Sequence, residues 1–168
     1  GSTSASVDDE GLPNGIAGST FGDDLPGQAI TASGTLPHDY NTDGKAASDP
    51  INFAPMHGTS GLVGAETVTY NWDAGSNTLT ATSAARGAIF TVQVDGGADN
   101  GNGDYVFTLL KPVIHAAGNN ENDATVNLTY QVKDATLPSA DTATGTLAIA
   151  LAAAAVRDAV RQATGGAG

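Results

Sequence analysis

A chain of 168 residues, 40% of them apolar, is long enough to bury one core of its own and reads as a single domain. Eighteen acidic residues against six basic ones leave a net charge of −12, which does not suit a nucleic-acid partner and disfavours an anionic membrane surface. The acidity suits a soluble secreted chain that holds hard cations through carboxylates, or one that is merely kept in solution by its charge, and the absence of Cys leaves the redox compartment open.

Residues 1–11, GSTSASVDDEG, read as a flexible arm ending in an edge segment or linker. Asp8, Asp9 and Glu10 form a like-charge triplet that repels unless it is solvated or bound to a cation. No basic stretch followed by an apolar run is present, so no signal peptide is visible. Residues 12–24 are loop-rich, and 28–36, QAITASGTL, read as a strand with Gly34 as a candidate bulge. The loop 37–50 is PHDYNTDGKAASDP. Its Asp39, Asn41, Asp43 and Gly44 match the start of an oxygen-ligand calcium loop, where alternate side chains converge on one ion and Gly allows the sharp turn. The match then fails: Pro50 stands where a bidentate Glu belongs, Asp49 comes one residue early, and no flanking helices are signalled. This is not an EF-hand. A cation loop of another geometry and a plain Asx-turn loop both remain, the second being the simpler.

Residues 51–53 read as a short strand and 55–64 as a further loop. From 66 to 110 come four segments rich in Thr, Val, Tyr, Phe and Ile, separated by turn-like breaks. Their period-two alternation predicts an antiparallel meander with one buried face. The turn DAGSN at 73–77 suits a hairpin. The break at 95–104 carries Asp95, Asp99 and Asp104 among glycines, as either a cation loop or a hairpin tip. Residues 109–117 turn a corner at Pro112, 124–133 alternate as a strand, 134–141 turn, and 142–151 form the last strand. The Ala-rich stretch from 152 to 164 has helix formers, with Gly165 and Gly166 as a stop. The domain reading is therefore an arm over 1–11, a β-sandwich over 12–151 and a helical tail over 152–168. The apolar run at 147–156 is too short to span a membrane, so no membrane insertion is expected.

The pieces GLPNG (11–15), SGTL (33–36), ETVTYNWDAGSNTLTAT (66–82), RGAIFTV (86–92), YVFTLL (105–110), NENDAT (120–125), LTYQVKDA (128–135) and DTATGTLAI (141–149) resemble, in this order, a known family. It is the repeat domain of large type I secreted bacterial adhesins of the repeats-in-toxin group. The resemblance implies an extracellular cadherin-like or immunoglobulin-like β-sandwich on the bacterial cell surface, repeated in tandem and stiffened by calcium. It makes Asp8, Asp9 and Glu10 similar to a junction segment, and Asp134 and Asp141 similar to the outer members of a compact acidic turn. DATLPSAD replaces that compact turn, and the Ala-rich tail replaces the usual acidic exit.

Catalysis finds little footing. His38, His57 and His115 lack metal-protease spacing, and Ser60 in HGTSG lacks the glycines of a nucleophile elbow. Trp72 inside an alternating strand is read as packing rather than as a sugar platform. The expectation is an all-β fold, a two-sheet sandwich of seven to nine strands with a short C-terminal helix. Its inward set is Val68, Tyr70, Leu79, Val92, Val94, Val106, Leu128, Tyr130, Val132 and Leu147. The expected role is a non-catalytic spacer whose partners are neighbouring repeats or copies of itself. Strand exchange into filaments, or binding a surface glycan or protein through end loops, are the alternatives.

Overall fold

The computed structural model describes residues 1–8, 30–114, 124–135 and 141–152, and the statements below concern these. They form ten strands: β1 (Ser2–Asp8), β2 (Thr31–Thr35), β3 (Ile51–Asn52), β4 (Ser60–Val63), β5 (Glu66–Asp73), β6 (Thr78–Ser83), β7 (Gly87–Val94), β8 (Asp104–Leu109), β9 (Ala124–Lys133) and β10 (Thr142–Ala152). The fold is all-β, in two sheets. One has the order β1-β10-β9-β3, the other β2-β8-β7-β6-β5-β4. The expected C-terminal helix, with the tail beyond Ala152, lies outside the described residues.

The meander follows from local chemistry. Asp73 closes the β5–β6 turn by accepting the Gly75 N–H and the Ser76 hydroxyl, with Asn77 at φ 49° completing the reversal. Ser83 Oγ accepts the amides of Ala85 and Arg86 in the next turn, and Gly87 takes φ 80°. Between β6 and β7 the register shifts, with Ala81 opposite Phe90 but Thr82 opposite Ala88. Ile89 is the extra residue, so both Ile89 and Phe90 turn inward and are buried.

The core is where the sheets face each other. Val68, Tyr70, Leu79, Val92 and Val94 come from one sheet, and Leu128, Tyr130, Val132 and Leu147 from the other, all buried as expected. Phe53, next to β3, bridges the layers: its ring lies 6.1 Å from Trp72 and 6.2 Å from Tyr130. Tyr130 crosses Gly145, where any Cβ would collide with the ring, and its hydroxyl donates to the Pro37 carbonyl at 2.6 Å.

The structure corrects several expectations. Val106 is 46% exposed, because Tyr105, Phe107 and Leu109 take the inward positions of β8 and the alternation leaves Val106 outside. The start of the chain is a strand and not an arm: β1 pairs parallel with β10 from Ser2↔Thr146 to Asp8↔Ala152, burying Val7. The expected loop 55–64 contains β4, which pairs with β5; two of its four residues are small, so its alternation is faint. Gly34 is no bulge. The β2–β8 ladder runs through it without a break, and the Tyr105 ring occupies the space that a side chain would take.

Candidate functional site

Three loops meet at one end of the molecule. The loop after β2 is stitched to the end of β9: Ala46 N–H donates to the Lys133 carbonyl at 3.0 Å, Ala135 N–H donates to Gly44 at 2.9 Å, and Lys45 forms a backbone bridge with Asp134. The same loop touches the β7–β8 connection. Tyr40 Oη donates to the Gly101 carbonyl at 2.9 Å and Lys45 Nζ to the Asp99 carbonyl at 2.8 Å. Burial, with the Asp95 charge adding to it, pushes the Tyr40 hydroxyl up to about 12, so it stays protonated and keeps donating.

An open cleft of about 290 Å³ lies here, lined by Asp39, Asn41, Asp134, Asp141 and Thr142 over Val132. The fold thus gathers four of the residues singled out in the sequence from two segments almost a hundred positions apart. Asp39 Oδ1 accepts the Asn41 N–H at 2.7 Å, and Asn41 sits at φ 55°. Asp134 is 8% exposed; its Oδ1 accepts the Asp141 N–H at 3.0 Å, and its own N–H donates to the Asp141 carbonyl at 3.1 Å. Asp43 and Asp49 belong to the same loop but do not line the cleft.

The β7–β8 connection uses its acids differently. Asp95 is 6% exposed at φ 53°, and its two carboxylate oxygens accept the amides of Gly101 and Asp104, each at 3.1 Å. Burial pushes its carboxyl up, and the amides of Asp104, Gly103 and Gly101 pull the other way. Asp99 Oδ1 accepts from Asn77 Nδ2 at 3.1 Å, and Asp104 Oδ1 accepts the Thr35 hydroxyl at 3.2 Å. This loop is an internal scaffold. Asp8 ends β1 beside Ala152, away from the start of β10 where the cleft opens; Asp9 and Glu10 lie outside the described residues.

Oxygen-only donors around the cleft are the right chemistry for a hard cation. No group of three or more acidic or His side chains among the described residues is drawn together tightly enough to hold a metal ion. Trp72, 8% exposed, packs in the core and offers no face to a sugar. His57 Nδ1 accepts the Trp72 N–H, His38 Nδ1 bonds to the Leu36 carbonyl, and His115 lies outside the described residues. Sequence reasoning passed over Asn52 and Asn77, both buried. A polar side chain in the middle of INF was the available signal for Asn52. Comparison of the chain with family models, with curated proteins and with solved structures gives no match.

Proposed function

We propose that this chain is a non-catalytic extracellular spacer, one immunoglobulin-like repeat of a bacterial surface adhesin, stiffened by calcium in the acidic cleft. One observation carries the reading: the first and last described strands run parallel, side by side. An antiparallel pair would bring a continuing chain in and out at the same end. A parallel pair sends it in at one end and out at the other, as a string of extended units requires. Ser2 lies beside Thr146 and Asp8 beside Ala152, so entrance and exit are separated by about 20 Å of strand.

The strand partition supports the immunoglobulin-like type. β3, β9 and β10 in one sheet and β2, β8 and β7 in the other repeat the C-F-G and B-E-D division of that fold, with β6, β5 and β4 added beyond β7. Asp39, Asp134 and Asp141 line the cleft without forming a closed ligand set, so calcium would act by drawing these carboxylates together as it binds and so tying the loop after β2 to the β9–β10 turn.

The test is small-angle scattering of two copies joined in tandem, with calcium and with a chelator. The expected result is a maximum dimension close to twice that of one copy in calcium, and a broader distribution of distances in chelator. A tandem that folds back on itself in both buffers ends the spacer reading. A second reading, assembly by strand exchange, draws on β1 being an edge strand that a neighbouring copy could supply.

A further inference from the structure

Asp49–Pro50 is the one Asp–Pro bond in the chain, and the fold holds it in an unusual setting. Asp49 takes φ 48°, in the left-handed region. A side chain makes that region costly, and a following proline presses the residue before it toward extended backbone instead. The carbonyl of this strained peptide accepts a hydrogen bond from Asn52 Nδ2 at 2.9 Å. Asn52 is 1% exposed, and its amide is fixed at both ends. Nδ2 also faces Gln131 Oε1 at 3.3 Å, and Oδ1 accepts the Ala54 N–H at 3.0 Å. On the far side of the bond, Pro50 is buried and its carbonyl accepts the Lys133 N–H at 2.8 Å, while Ile51 pairs with Val132. Asp49 itself is half-buried, within reach of water.

We infer that the chain cuts its own backbone between Asp49 and Pro50, with Asp49 as the nucleophile and Asn52 as the donor to the developing oxyanion. The carboxylic acid of Asp49 adds through oxygen to the carbon of its own main-chain carbonyl, closing a five-membered ring. Negative charge gathers on the carbonyl oxygen, where Asn52 Nδ2 already donates. The acid proton passes to the proline nitrogen, the C–N bond breaks, and Asp49 is left as a cyclic anhydride. Water opens the anhydride. One water is consumed, and the products are a chain ending in the two carboxyls of Asp49 and a chain beginning with the secondary amine of Pro50. Rupture also releases the backbone strain, because Asp49 no longer has a ring attached to it.

The halves stay together after the cut. Residues 1–49 keep β1 on β10 and β2 on β8, and 50–168 keep the rest of both sheets. The event is a single one on the chain's own backbone, and it stands apart from the spacer reading. The simpler role for Asn52 is to tie down the loop before β3. The two roles differ in whether folding accelerates rupture.

The test follows the full chain by mass spectrometry under denaturing conditions, after incubation at mildly acidic pH with and without urea. Two fragments, 1–49 and 50–168, are expected, their masses together exceeding the chain by one water. They should form about a hundredfold faster in the folded chain than in urea, the scale of one oxyanion donor. Asp49→Gly suits the positive φ and removes the carboxyl; it should stay whole with an unchanged circular dichroism spectrum. Asn52→Leu keeps the size and removes the donor at any pH; wherever its melting curve shows it folded, cleavage should fall toward the urea rate. A folded chain that stays whole, that breaks no faster than in urea, or that breaks equally as Asp49→Gly overturns the inference.

Discussion

At the scale of single residues, charge in this protein is used sparingly and locally. Glu66 takes a forked hydrogen bond from Arg86, at 3.2 Å and 3.1 Å from Nε, and a further one from the Ser83 hydroxyl at 2.7 Å. Both side chains are largely covered, at 12% and 23% exposure. The Arg86 hydrogen bond is the main cause that holds the Glu66 carboxyl below its usual range, with Ser83 and the Arg86 and Lys111 charges adding to it. A depressed folded-state value stabilises the protein above the ordinary Glu range, and that stability is lost as pH falls through the folded value. Glu66→Gln should therefore cost about 1 kcal/mol near neutrality. Thermal melts of both proteins should converge once the medium is acid enough to protonate Glu66. A gap that persists unchanged at low pH would assign the effect to packing.

At the scale of elements, the sheet order makes β1 the strand whose loss is most informative. It covers one edge of β10 along seven register pairs and contributes Val7 to the core. Deleting residues 1–8 should cost about 2 kcal/mol from Val7 alone, and more from the bared ladder. The truncated chain should self-associate through the open β10 edge in sedimentation experiments. A synthetic peptide of residues 1–8 should return it to a monomer. A truncated chain that stays monomeric with an unchanged melting point would show that β10 does not need this cover. The acidic loop before β3 is read at the same scale: its Asp-x-Asn-x-Asp-Gly spacing was visible, but its meeting with the β9–β10 turn was not. That meeting depends on Ala46 and Ala135 bonding across to Lys133 and Gly44, residues with no metal-like signature.

At the scale of the whole molecule, a net charge of −12 sets up self-repulsion that any bound cation relieves. If the cleft holds calcium, the folded state gains about 2.7 kcal/mol at a hundredfold excess over the dissociation constant. Differential scanning calorimetry should then show a higher melting temperature in millimolar calcium, and a smaller rise in magnesium, which tolerates irregular oxygen cages poorly. Asp39→Asn together with Asp141→Asn should abolish most of the calcium increment. An increment that survives the pair moves the ion to another part of the acidic surface.

The amino-acid sequence by itself determined β5 to β8 and the long strands β9 and β10. Their alternation and their Gly, Asn, Asp and Ser turns are local, and hydrogen-bonded neighbours in the meander are also neighbours in the chain. It determined most of the inward set for the same reason. Only the tertiary structure decided that β1 lies parallel on β10, that SGLV is a strand, and that Asp39 and Asn41 meet Asp134 and Asp141. Each of these depends on how two sheets stack and where their edges are left open, which is a relation between residues far apart in the chain and leaves no period in the sequence.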